Sequence, residues 1–142
     1  MNIDQLGEML AVEEGEVLHA YQDQFGYWTI GIGHLIDKRK GGKISRRISR
    51  LLLAEDMAWA IPAAETYSWF AGLDDARQAV IVGMIFQLGA AGFAGFKNTI
   101  KDIAAGRYSI AADRMLVSKW AKQTPARAQR MAAIMRTGEW PY

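Results

Sequence analysis

The hydrophobic positions of this 142-residue chain change period along its length. Ile3, Leu6, Met9 or Leu10, and Glu13 recur at helical spacing, which predicts a first helix over about 4–14. Asp4 is its expected N-cap, and Gly15 is expected just past its end in left-handed conformation. The stretch VLHAYQDQFGYWTIGIGHLI then sets β-branched and aromatic residues around a D-Q-F-G turn, the pattern of a hairpin. In that hairpin Tyr27, Thr29, Gly31 and Gly33 share one face, and Trp28, Ile30 and Ile32 share the other. The second face is apolar and is expected to pack. The first is nearly bare beyond Tyr27 and Thr29, which leaves room for a ligand to approach the backbone.

A basic, glycine-containing loop, DKRKGGK, separates the hairpin from a helical remainder. Ser45 should cap a helix that runs through RRISRLLLAEDMAWA toward Pro62, where it kinks or ends. The link WFAGL leads to Asp74, the N-cap of DARQAVIVGMIFQL, which closes at Gly89. Val80, Ile81, Val82, Met84, Ile85, Phe86 and Leu88 cover most of that helix, as in a central buried helix. Short helices are expected near AAGFAGF, from Asn98 to Ala105 and from about Ser109 to Trp120. The last helix has Thr124 as N-cap, Pro125 at its first position and Gly138 after its end. The fold class is α+β and mostly helical. A small N-terminal β-hairpin lobe faces a helical C-terminal lobe across a cleft.

Composition narrows the chemistry. There is no cysteine, hence no disulfide and no thiolate. Two histidines, His19 and His34, without clustered ligands argue against a structural zinc site. The start MNIDQLGEML lacks the basic first region of a secretory signal, and no apolar run is expected to span a bilayer. These features imply synthesis in the cytoplasm. Net charge is +2 but uneven: residues 1–71 sum to −3 and residues 72–142 to +5. A basic half suits an anionic polymer, although a solvated surface accounts for so small an excess.

Glu14 and Asp23 are carboxylates nine positions apart, flanking aromatic and glycine-rich sequence. Two carboxyl groups beside an open aromatic cleft fit glycoside hydrolysis, where one protonates the leaving oxygen and the other activates water or attacks the sugar. Glu14, at the negative end of a helix dipole, suits the acid role. Asp23 in a polar turn suits the ionised role, and the Thr29 hydroxyl is placed to hold a water. On spacing alone, acids at helix ends and turns are more often caps or solvated groups.

The run EEGEVLHAYQDQFGYWTIGIGHL resembles the catalytic segment of the phage-type lysozymes, glycoside hydrolase family 24. Three further blocks, LDDARQAVIVGMIFQLG, AGFAGFKNTI and SKWAKQTPARAQRMAAIMRTGEW, resemble the same family in the same order. The resemblance implies a single lysozyme domain over 1–142, with an N-terminal lobe at about 15–60 and a C-terminal lobe at about 72–142 plus helix 3–14. It implies a muramidase that cuts the β-1,4 bond from N-acetylmuramic acid to N-acetylglucosamine in peptidoglycan with inversion. Glu14 would be the general acid, and Asp23 with Thr29 would position the water. Leu35, Phe86, Gln87 and Thr99 would contact substrate, against simpler readings of Leu35 as a packed strand residue and Phe86 as core. Arg127, near Glu14, and the pair His34 with Asp56 would be structural support, and Arg130 would reach Glu13. Trp120 would anchor helices. Arg114 stands where the family has a small amide, so that contact is not carried over; its cation would reach a peptide carboxylate or solvent. The segment between His34 and Ser45 is shorter than in the family, which compresses the N-terminal lobe.

No cofactor, no metal, no nucleic acid and no stable membrane insertion are implied. The expected partner is peptidoglycan, for a monomer released from the host cytoplasm to the wall or periplasm by a separate holin-like protein. A lytic transglycosylase and a non-catalytic wall-binding module are the alternatives. The presence of Asp23 and Thr29 argues against the first, and the full set of three argues against the second.

Overall fold

Asn2, rather than Asp4, starts the first helix. Its side-chain oxygen accepts the N–H groups of Asp4 and Gln5, which satisfies two of the donors a helix start leaves free. The computed structural model describes residues 2–37 and 44–141. Helix α1 spans Ile3–Glu14 and stops at Gly15, whose N–H donates to the Ala11 carbonyl. Gly15 has φ 74° and ψ 144°, so it takes the positive φ expected of it, although its ψ is not that of the αL turn.

The chain divides into two units, Met1–Leu51 and Leu52–Tyr142. The first contains α1 and an antiparallel sheet of β1 (Glu16–Gln22), β2 (Trp28–Ile32) and β3 (His34–Asp37), in the order β1-β2-β3. The hairpin falls where the alternation places it, and the third, four-residue strand is an addition to it. Tyr21 pairs with Thr29, and Thr29 with Leu35, so these three share a face. The expectation that Trp28 and Ile32 pack is reversed. Both are exposed, whereas Thr29, covered by its two cross-strand neighbours, is buried. His19 stands exposed on β1. Of the DKRKGGK loop, Asp37 ends β3 and the rest lies outside the described residues.

Helix α2 (Arg46–Glu65) begins after Ser45, whose hydroxyl accepts the Ile48 N–H. It does not end at Pro62 but continues to Glu65. Proline removes the bond to the carbonyl four residues back, at Ala58. Ala58 and Pro62 are both exposed, so water meets the orphaned carbonyl.

The second unit holds the buried core. After a short 3-10 turn at Phe70–Gly72 comes α3 (Asp75–Ala94), capped by the Asp74 side chain, which accepts the Arg77 N–H. Its backbone breaks at Gly89, where the sequence closes the helix, and the expected AAGFAGF helix is its continuation. Contrary to the sequence expectation, α3 is long and apolar enough to cross a membrane by length and composition. Val80, Ile81, Met84 and Ile85 are fully buried against the other helices, which identifies it as the core helix. Phe86 escapes that burial and is 39% exposed. Helices α4 (Lys97–Ala104), α5 (Tyr108–Leu116), α6 (Lys119–Gln123) and α7 (Pro125–Thr137) complete the unit. One helix was expected over Ser109–Trp120. It is two, because the Ser118 hydroxyl accepts the Ala121 N–H and starts α6 anew. Thr124 precedes α7, but its hydroxyl donates to the Trp120 carbonyl instead of capping.

Several polar fastenings join these helices, among them the pair of Arg136 on α7 with Asp113 on α5. Arg77 donates to the carbonyls of Met135 and Arg136 at the end of α7, stacks 4.0 Å from the centre of the Tyr108 ring, and pairs with Asp74. Partial burial raises the Asp74 carboxyl, but the Arg77 backbone and side-chain hydrogen bonds outweigh it and hold the group below its ordinary range. Trp120, a buried anchor as the sequence implies, donates its Nε1–H to Gln87 at 2.9 Å and meets the Phe96 ring edge-on. Asp102, buried on α4, receives Arg107 through Nε and Nη2 on one oxygen and Arg114 through Nε on the other. Hydrogen bonds from Arg107, and next from Arg114, hold its carboxyl below the usual range.

A lowered folded-state pKa contributes stability that is present above the unfolded value and is lost as pH falls through the folded one. Asp102→Asn is therefore expected to lower the melting midpoint at neutral pH. The gap from wild type should close as pH drops below about 4. Thermal unfolding followed from neutral to acid pH checks this, and a gap that persists in acid would contradict it.

Candidate active site

Helix α1 delivers Glu14 as its last helical residue, at the point where Gly15 turns the chain into β1. The Glu14 carboxylate rests against Gly33, between β2 and β3. A Cβ built on Gly33 would lie 3.1 Å from Glu14 Oε2. Gly33 also has φ 62°, a conformation that a side chain disfavours. Glycine is thus favoured there by its backbone, and a side chain would press on the flexible Glu14 carboxylate.

Asp23 opens the turn from β1 to β2. Its Oδ1 accepts the N–H of Phe25 at 2.8 Å and of Tyr27 at 2.9 Å, and its own N–H donates to the Tyr27 carbonyl at 2.9 Å. Short side chains that bond backbone two residues on are what make Asp a turn former. Because Oδ1 takes both amides, Oδ2 is left without a hydrogen bond among the described residues. Thr29, on β2, donates its hydroxyl to the Tyr27 carbonyl at 3.3 Å, which leaves the hydroxyl oxygen to accept.

Glu14, Asp23, Thr29 and Leu35 line one hollow of about 580 Å³ in the first unit, together with Tyr21, Tyr27 and Gly33. The sequence expectation named four of these. Tyr21 was missed, and its pairing opposite Thr29 is the signal that locates it. Two acids, an accepting hydroxyl and an aromatic rim give a hollow suited to proton transfer and water activation on an amphipathic ring.

His34 is exposed on β3 of the first unit. Asp56 on α2 and Arg127 and Arg130 on α7 are exposed in the second. Phe86 and Gln87 sit on α3. The Phe86 ring stacks on Trp59 with centroids 6.4 Å apart and planes 15° apart, and the Gln87 Oε1 is taken by Trp120. Thr99, on α4, lines a different hollow with Lys97, Asn98 and Arg114. Among the described residues no three His, Asp or Glu side chains gather as a metal site.

The family model described as phage lysozyme matches residues 11–137. A Dictyostelium discoideum protein named Probable T4-type lysozyme 2 is 32% identical over 96% of each chain. The endolysin of Salmonella phage P22 is 33% identical over 80% of each chain. The pre-baseplate central spike protein Gp5 of Enterobacteria phage T4 is 31% identical over 94% of this chain and 28% of its own.

Gly31 and Gly33 both have positive φ, but only Gly33 faces Glu14. Gly31→Ala and Gly33→Ala should each cost about 1–3 kcal/mol in denaturant unfolding, the strain of a side chain at such a φ. Gly33→Ala should also displace the flexible Glu14 carboxylate, so its activity falls well below that of Gly31→Ala. Equal activities in the two variants would show that the Glu14–Gly33 contact has no bearing on function.

Proposed function

This chain belongs to the phage lysozyme family, and on that basis we propose that it hydrolyses the β-1,4 bond from N-acetylmuramic acid to N-acetylglucosamine in peptidoglycan. The observation that carries the reading is the convergence of Glu14, Asp23 and Thr29 on one hollow, with Asp23 pinned by two backbone amides and one of its oxygens left over.

In this mechanism the protonated Glu14 gives its proton to the glycosidic oxygen as the bond from the anomeric carbon to that oxygen breaks. The bonding pair leaves with the oxygen, and positive charge builds on the sugar ring. A water donates one hydrogen to Asp23 Oδ2 and the other to Thr29 Oγ1, which turns a lone pair toward the anomeric carbon. As the new bond forms, the water proton passes to Asp23. The product is a reducing muramic-acid end of inverted configuration. Return of that proton through solvent and reprotonation of Glu14 complete the cycle. The Thr29–Tyr27 hydrogen bond matters here, because a hydroxyl that has already donated is fixed as an acceptor.

Leu35, beside the carboxylates, and Phe86, exposed on α3 against Trp59, are sugar contacts in this reading. Gln87, with its oxygen taken by Trp120, keeps its amide N–H groups for substrate. Thr99 keeps a hydroxyl for it.

Glu14→Gln is expected to lose about 10²–10⁴-fold in turnover, the range for removing a general acid, with little loss of stability. Asp23→Asn should lose most of the activity, because the amide can still accept the Phe25 and Tyr27 N–H groups but cannot take the proton. Thr29→Ala should lose a comparable or smaller share. Turnover on purified peptidoglycan, with the first-formed anomer read by NMR, checks all three. Near-normal turnover in Glu14→Gln, or retained configuration in the wild-type product, would overturn the mechanism.

A further inference from the structure

Phe25 stands in the turn between β1 and β2 with its ring 73% exposed, and it lines the hollow that holds Glu14, Asp23 and Thr29. No other ring and no cation packs on it among the described residues. A single apolar side chain in water is ordinary when it stands on an open face. Leu18 is such a case: it is 82% exposed on β1 and does not line the hollow. Phe25 differs by its place. It shares the wall beside the two acids with the exposed Tyr27, and aromatic side chains are what ligand hollows are lined with.

The backbone beneath the ring is fixed. The Phe25 N–H donates to Asp23 Oδ1 at 2.8 Å, and the Gly26 N–H donates to the Asp23 carbonyl at 2.9 Å. The Gln22 side-chain amide donates to the Gly26 carbonyl at 3.4 Å. The carboxylate that organises the turn therefore also sets where the ring begins. Phenylalanine has two side-chain torsions, so ordering it under a ligand costs little. The turn uses only the backbone N–H of Phe25, and the side chain has no part in building it.

The geometry points to Phe25 as a sugar-stacking residue, which receives the C–H face of a hexosamine ring beside the bond that is cut. A β-1,4-linked hexosamine carries its substituents around the edge of the ring. Its faces present C–H hydrogens, which suit the electron-rich face of an aromatic ring. The inference rests on the muramidase reading for the identity of the substrate, and it adds a determinant of how the glycan is held. The methyl groups of the stem peptide are the other apolar groups that peptidoglycan offers, and they supply the contrasting probe.

Two measurements test it. The first does not depend on catalysis. In the full-length Glu14→Gln protein with carbon-labelled phenylalanine, the Phe25 ring signals are identified by their loss on adding Phe25→Leu. They are then followed by NMR as the N-acetylglucosamine trimer and the dipeptide L-alanyl-D-isoglutamine are added separately. The ring signals should move with the trimer and stay still with the dipeptide. The sugar C–H signals should shift upfield in the ring's field, and should not do so once Phe25→Leu is added. Immobility with the trimer, movement with the dipeptide, or an upfield shift that survives Phe25→Leu would overturn the stack.

The second is kinetic. Phe25→Ala should raise KM on peptidoglycan about tenfold with kcat kept, the mark of lost binding common to ground and transition states. Its melting point should match the wild type, because the ring is exposed. Phe25→Trp should keep the wild-type KM, whereas Phe25→Leu, apolar but not flat, should behave as Phe25→Ala does. Leu18→Ala should leave KM unchanged. A wild-type KM in Phe25→Ala or Phe25→Leu, an equal rise in Leu18→Ala, or a fall in kcat alone for Phe25→Ala would contradict the assigned role. Failure of the wild type to cut peptidoglycan would remove the muramidase reading, and the trimer arm would still decide the stack.

Discussion

Asp23 Oδ1 accepts two amides of the turn that it opens, Phe25 at 2.8 Å and Tyr27 at 2.9 Å. Those two bonds set the direction of β2, and with it the place of Thr29, whose hydroxyl is turned by the same residue, Tyr27, through its carbonyl. The sheet is therefore organised about a carboxylate that also faces the hollow. A residue that shapes a turn with one oxygen and offers the other to a ligand is fixed without needing a partner from a distant element. A carboxylate can be oriented by a cation; at the partly buried Asp23 backbone amides do the orienting.

Glu14 is placed by a different constraint, that of space. The helix ends at Gly15, and the carboxylate settles where Gly33 has no side chain. The glycines in TIGIGHL thus have separable duties. Gly31 serves the backbone, and Gly33 serves both backbone and carboxylate. The second unit works by other means. It holds the buried core around α3, and its polar fastenings tie helix ends: Arg77 to the end of α7, Trp120 to Gln87, and Asp102 to two arginines.

Much of this was legible in the sequence because local rules decide it. The D-Q-F-G turn, the Asp74 cap, the Pro125 start of α7 and its Gly138 stop all depend on side chains a few positions away. The carboxylates were legible for the same reason, since a helix end and a turn each fix one of them. What escaped the sequence depends on partners that periodicity does not name. Trp28 and Ile32 look like a packing face, yet Thr29 is the buried residue, because Tyr21 and Leu35 stand across from it. Ser118 reads as a helix interior residue until its hydroxyl is seen to cap Ala121. Pro62 reads as a stop, but an exposed carbonyl can be left to water and the helix goes on. Arg114 reads as a cation for a peptide carboxylate or for solvent, and only the folded α4–α5 pair brings Asp102 to its Nε.

The proposed chemistry turns on Glu14 supplying the proton for cleavage of a glycan by water. The first measurement is to incubate the wild type and Glu14→Gln with purified peptidoglycan and analyse the soluble products by mass spectrometry. Fragments with reducing muramic-acid ends are expected from the wild type and none from the variant. Anhydro-muramic ends from the wild type, or reducing ends from the folded variant at a similar rate, would contradict it.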